Sequence, residues 1–403
     1  MRNLRKLFVL AALGLSASAA FMACAEDGSN VVRTRPDGGD ASLDAASDGP
    51  APNTLACGVP IPATYDSPNF TVNAKEELDF KTAVLAINDK MKSAEGPTPL
   101  TVTTADLNAL FTAGTPSLRS IATAYAQATL DTYFAQFGDA ATKTWRPEDV
   151  EADGGVDGGS DGGVPTGGKY DNASIVNAVG VDLREASQKV LLDGALYNYA
   201  LQLASGAVTE ATVDRLLALF GATPKFANSS DPDAGADADA LIAEYAGKRD
   251  NKTGTPGPYR KMRTALLVAK AAAAAGSPCK ADLDGALKIY FLEWEKTAYA
   301  TVIYYLNQAA TNAIAIPQKG QLALLAYGEA LGFVESFKGI PQDRRLITDV
   351  QIDGLLARIG SDKPYRLVTQ SGDLVSAFST AFQEIGGIYG FTQTEIEDAK
   401  KAY

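Results

Sequence analysis

Beyond residue 70, apolar residues recur at three- and four-residue spacing along most of the chain, the period of helices that bury one face. KEELDFKTAVLAINDKM (75–91), SLRSIATAYAQATLDTYFAQF (117–137) and LREASQKVLLDGALYNYALQLA (183–204) each carry this stripe. The punctuation agrees with it. TEATVDRLLALFG opens on Thr209 as a cap and closes at Gly221, and YRKMRTALLVAKAAAAAG ends at Gly276. SPCKADLDGALKIY restarts with Ser277 as a cap and Pro278 at the first helical position. TQTE at 392–395 is a capping box of Thr392 and Glu395. No stretch alternates for long as a half-buried strand would. The pattern predicts an all-α fold, a multi-helix assembly of about ten helices in one or two packed bundles.

One predicted helix, Gly320 to Phe337, is apolar nearly all round and should be buried. Leu322, Leu325, Ala326 and Phe333 share a face with Glu329, while Leu324, Leu331 and Val334 cover another side. An unpaired ionised glutamate there costs several kcal/mol, so Glu329 must be protonated or paired. Arg184, Arg260 and Arg263 are the candidate partners. Glu335 lies six residues on, about 120° around the helix, so the two carboxylates cannot act as a same-face pair. In KIYFLEWEKTAYATVIYYLNQA (288–309) the aromatics Tyr290, Phe291, Trp294, Tyr304 and Tyr305 form a stripe expected to be core. Glu293 and Glu295 flank Trp294, and Glu295 is expected to pair in solution with a nearby Lys or Arg.

Acidic, Gly- and Asp-rich stretches interrupt the helical pattern at 37–53, 151–168 and 229–240. They divide the chain into an N-terminal leader (1–23), a tether (24–56) and a helical domain (57–403) with low-complexity inserts at about 148–169 and 228–240. The net charge of −12 sits mostly in residues 25–56, 148–161 and 231–239, which carry −4, −6 and −4, while the leader carries +3. About −1 remains for the helical body, and no basic patch points to nucleic acid. The DGGV-DGGS-DGGV run spaces its Asp residues by four and lacks a closing Glu, which argues against an EF-hand calcium loop.

The leader has a positive start at Arg2, Arg5 and Lys6 and a short apolar run, LFVLAALGLSASAA, the pattern of a secretory signal peptide. FMAC then places Ala23 before Cys24 in a context that resembles a bacterial lipobox, with Phe21 where leucine is usual. Cys24 is therefore the expected lipidated first residue, an anchor and not a span. Export leaves Cys57 and Cys279 in an oxidising compartment, where they form a candidate disulfide; the alternative is a free thiol at Cys279 near a helix start.

The chain contains no histidine. That removes Ser–His–Asp and Cys–His catalysis, HExxH zinc chemistry and His-ligated haem or copper. Oxygen chemistry from Asp, Glu and Tyr remains, and it singles out no metal site, no cofactor and no catalytic residue. Glu329 is the one buried carboxylate that asks for an explanation.

Taken together, LREASQKVLLDGALYNYALQLA, TVIYYLNQA and YGEALGFVESFKGIP resemble an uncharacterised, all-helical domain family of bacterial lipoproteins, over roughly residues 60–403. Its members often occur near imelysin-like iron-uptake proteins. The resemblance implies an exported helical protein anchored in the cell envelope, with the outer membrane the expected address. It also implies work on a small ligand or protein partner linked to iron or nutrient uptake. The GxHxxE motif of the imelysin-like relatives is not completed here, because Gly328 is followed by Glu329 and Ala330. The alternative reading is a carboxylate-based hydrolase, or an oxygen-ligand metal-binding protein, that uses Glu329.

Overall fold

Hydroxyl side chains start many of the helices. The computed structural model describes residues 53–152, 166–227, 238–250 and 255–401. Cys24 with its expected lipid, the leader, most of the tether and the centres of both acidic inserts lie outside these residues.

α1 (Phe70–Asn73) leads into α2 (Lys75–Lys92), which buries Phe80, Val84, Ile87 and Met91 along one stripe. α3 (Thr104–Thr112) opens on a capping box of Thr103 and Asp106. The stripe expected as one helix over 117–137 is two. α4 (Leu118–Ile121) ends at an extended Ala122, and α5 (Ala124–Ala140) starts afresh on Thr123, whose hydroxyl accepts from the Ala126 N–H at 3.0 Å. A threonine at this point satisfies a free N–H of a new helix better than it continues an old one.

α6 (Pro147–Ala152) and the strand β1 (Gly168–Tyr170) occupy the two ends of the stretch read from sequence as an insert over about 148–169. β1 pairs antiparallel with β2 (Ser174–Val176), with Lys169 opposite Ile175. This hairpin is too short for the alternation test to register. Its turn places Asp171 and Asn172 in the left-handed region, at φ of 51° and 55°.

α7 (Leu183–Leu191), a π-helical turn (Leu192–Tyr197) and α8 (Asn198–Ala204) follow one another without a break. α9 (Glu210–Phe220) is capped by Thr209 and closed by a left-handed Gly221. Then come α10 (Leu241–Lys248) and α11 (Pro258–Ala275). Ser277 is not a helix cap as the sequence suggested: Ser277–Cys279 form a 3-10 turn, and α12 (Lys280–Ala313) begins after it with no side-chain cap. α12 spans 34 residues, about 51 Å at 1.5 Å per residue. α13 (Gly320–Ser336) returns antiparallel to it, so that the Tyr299 hydroxyl donates to the Val334 carbonyl at 3.2 Å. α14 (Asp349–Ile359), α15 (Arg366–Thr369), α16 (Gly372–Tyr389) and α17 (Gln393–Ala399) complete the chain, the last on the Thr392–Glu395 capping box.

Among the described residues the fold is all-α apart from the hairpin. A single hydrophobic cluster runs from Tyr65 to Ala399, so the helices share one core instead of forming two bundles. α12 and α13 lie at its centre, with α11 beside α12 and α7 against α13. The N-terminal approach is fastened to the start of α12. Cys57 and Cys279 form a disulfide with Cα atoms 5.3 Å apart, and Leu55 packs beside Ala272 and Cys279. The N–H groups of Ala56 and Cys57 donate to the Asp282 carboxylate at 2.9 and 3.3 Å.

Candidate functional site

The seam between α7 and α13 depends on two glycines. A Cβ on Gly328 would lie 2.9 Å from the Asp182 Cβ, and one on Gly332 would lie 2.7 Å from the Ala186 carbonyl. The stretch GEALG therefore brings the α13 backbone against α7 more closely than any side chain there allows. Glu329, between the two glycines, is carried into this contact.

Lys189 meets it from α7. The side chain is only 1% exposed, and Nζ lies 2.8 Å from Glu329 Oε2 and 3.0 Å from Glu185 Oε2. It also donates to Gln188 Oε1 at 2.7 Å, and it lies 5.4 and 5.9 Å from the ring centroids of Tyr245 and Phe333. The Tyr305 hydroxyl also acts on Glu329, favouring its ionised form. Burial pushes the Glu329 carboxyl up to about 7, with Lys189 opposing the rise. Burial works against the Lys189 charge as well, but Glu329 and Glu185 outweigh it and hold the ammonium above its ordinary range. Burial likewise opposes the charge on Glu185, where Lys189 and Arg184 prevail and keep the carboxyl below its usual range.

The network continues outward from Glu185. Arg184 Nη1 is 2.6 Å from Glu185 Oε1, and Arg184 Nε is 2.9 Å from Glu95 Oε1 in the loop after α2. Asp182 caps α7 by accepting from the Glu185 N–H at 3.1 Å. Burial raises Glu95 to about 7 and Asp182 to about 6. Four carboxylates thus share two cations, and the network is acid-rich enough to hold protons near neutrality.

A second polar group surrounds the π-helical turn. Asp193, fully buried, accepts from Trp294 Nε1 and from Ser336 Oγ, both at 2.8 Å, and burial pushes its carboxyl up to about 7. The widened turn leaves the Gly194 carbonyl to accept from the Thr123 N–H at 2.9 Å, which ties the start of α5 to this rod. Glu295 accepts from Tyr197 Oη at 3.0 Å, Tyr389 Oη at 3.2 Å and the Leu346 N–H at 3.0 Å. The solvent pairing expected for Glu295 is therefore wrong: α16 and the chain before α14 close over it. Glu335 accepts from Tyr133 Oη, and burial raises it to about 7.

None of the three arginines considered from sequence pairs with Glu329. Arg184 is held by Glu95 and Glu185, Arg260 Nε is 3.1 Å from Asp250, and Arg263 donates to the Ala63 carbonyl at 2.8 Å. Lys189 takes that place because it lies one helical turn beyond Glu185, on the face of α7 that the two glycines admit. Glu329 and Glu335 serve separate partners, as their 120° offset requires. Tyr290 and Trp294 are buried core; Tyr305 adds a polar contact to its packing. Lys189, Asp193 and Glu95 escaped sequence reasoning. A lysine on the apolar face of a buried helix was the available signal for Lys189.

Among the described residues, two of the open surface grooves are lined by other residues. One, about 360 Å³, lies between α14 and α16 beside Gly354, Arg358, Glu384 and Gly387; the other, about 370 Å³, lies beside Trp145, Arg146, Lys169 and Tyr170. Among the described residues, the only grouping of potential metal ligands is Cys57, Cys279 and Asp282. Its sulfurs are joined to each other, and its carboxylate accepts two backbone N–H groups. No protein-family model, curated protein or solved structure matches the chain.

Proposed function

We propose that the chain is a lipid-anchored helical binding or accessory protein of the bacterial cell envelope. In this reading the Cys24 lipid holds it at the outer membrane, and the folded body serves the uptake of iron or another nutrient through a ligand or protein partner. The observation that supports a binding role over a catalytic one is the enclosure of Glu329. Its oxygens face Lys189 and Tyr305 inside the α7–α13 seam, and neither groove includes it. A general acid or base must come within hydrogen-bond reach of its substrate.

Metabolic labelling with a palmitate analogue tests the anchor. The full chain should carry the label and sediment with membranes, and a Cys24→Ser chain should do neither; a Cys24→Ser chain that stays membrane-bound contradicts the anchor.

One observation favours the rival, a carboxylate-based hydrolase or oxygen-ligand metal protein. A carboxyl near 7 is suited to proton transfer at neutral pH. Under that reading Glu329→Gln abolishes turnover or stoichiometric metal while leaving the fold intact. Under the binding reading the purified protein carries no stoichiometric iron, manganese or calcium at Glu329.

A further inference from the structure

At the junction of α12 and α13 the chain presents its apolar side chains to solvent. Ile316 is 100% exposed, Ile314 61% and Leu322, in the first turn of α13, 44%. The apolar pattern of α13 alone places Leu322 on the buried face; it lies instead where the helix emerges from the core. The loop is held in place: Gln318 Nε2 donates to the Ala313 carbonyl at 3.0 Å and the Leu367 carbonyl at 3.1 Å, and the Lys319 N–H donates to the Asn312 carbonyl at 3.1 Å. Ile316 is thus displayed by a fastened turn, and exposed apolar clusters of this kind mark contact surfaces.

The charge pattern identifies the kind of surface. Within the tip, Ile314 to Leu322, there is no Asp or Glu, and Lys319 is the only charged residue. By contrast the exposed Val350 sits on α14 beside Asp349 and Asp353. A tip of isoleucines with a lysine and no carboxylate of its own suits a lipid surface, where apolar side chains enter the headgroup boundary and a lysine reaches phosphate. No helix among the described residues is long and apolar enough to cross a membrane, so the contact is interfacial.

Chain length permits it. The tip lies at the end of α12 opposite the Cys57–Cys279 disulfide, about 51 Å away along the helix. The 29 Cα–Cα steps from Cys24 to Asn53 can span up to about 100 Å.

We infer that the α12–α13 tip, Ile314 to Lys319 with Leu322, is an interfacial lipid-contacting loop, a second and weaker attachment beside the N-terminal one. It builds on the envelope reading but has its own readout. A tethered protein meets the surface at high effective concentration, so a contact of a few side chains suffices to orient it.

The test uses the full chain with Ile316→Trp, bound to vesicles of phosphatidylethanolamine with a minority of phosphatidylglycerol carrying brominated acyl chains. Gly285→Trp, near the opposite end of α12 in open space, is the comparison, and the wild type with its two buried tryptophans is the blank. Quenching should be several-fold stronger at 316 than at 285, and Ile314→Ser with Ile316→Ser should lower vesicle partition about tenfold. Equal or weaker quenching at 316 overturns the inference. So does shielding of the indole at position 316 that rises with protein concentration in the absence of lipid, because a second copy would then cover the tip. Loss of palmitate labelling with quenching at 316 retained would overturn the anchor and leave this loop standing.

Discussion

Replacing Glu335 by Gln should flatten the dependence of stability on pH by one proton. The carboxyl is buried, its hydrogen-bond donor is Tyr133, and the Lys338 charge partly opposes the effect of burial. Burial raises it from 4.5 to about 7. A carboxyl raised on folding makes the folded state hold the extra proton between these two values. Its contribution is therefore fully present below pH 4.5 and is lost as pH climbs through 7. At about 1.4 kcal/mol per unit the displacement amounts to about 3 kcal/mol, an order-of-magnitude figure for one group. Glutamine keeps the carbonyl that accepts from Tyr133 but cannot titrate. Urea unfolding of wild type and variant from pH 5 to pH 8.5 reads the difference directly. The wild type should lose stability across this range, and E335Q should lose less by about 1 kcal/mol per pH unit between 5 and 7. Identical slopes would refute the argument that burial holds this carboxyl protonated.

Other consequences follow from the same packing. Reducing the disulfide, which closes a loop across 222 residues, should cost about 5 kcal/mol by chain entropy; unfolding with and without reductant checks it, and an unchanged midpoint would deny the staple. Gly332→Ala places a Cβ 2.7 Å from the Ala186 carbonyl and should cost about 1–3 kcal/mol in thermal unfolding, whereas Gly354→Ala, with open space around it, should cost no more than about 0.5 kcal/mol.

Helices were legible in the sequence wherever one apolar stripe and its caps coincide, as from Thr209 to Gly221 or from Pro258 to Gly276. The break at Thr123 was not, because the stripe continues through it and only the competition for backbone N–H groups decides. The π-helical turn was hidden for a related reason: its widened ladder answers to Trp294, Ser336 and Thr123, which lie far along the chain. At the candidate site, burial of Glu329 could be read from its apolar neighbours, yet its partner could not. Periodicity orders residues on one helix, whereas the Lys189 contact depends on the glycines that set how closely two helices approach. Glu295 failed likewise, since its position beside Trp294 on a long helix says nothing of the tyrosines that enclose it.

Glu329 and Lys189 form a closed structural pair between α7 and α13. A double-mutant cycle at pH 8 over Lys189→Met, Glu329→Gln and both together measures it most directly. Lys189→Met alone leaves Glu185 and Glu329 buried without their ammonium and should cost about 3–5 kcal/mol. Glu329→Gln alone should cost less, because Lys189 keeps Glu185. The double variant should recover part of the loss, with a coupling of about 1–3 kcal/mol. Additive losses would contradict the account and return Glu329 to the list of groups free for chemistry.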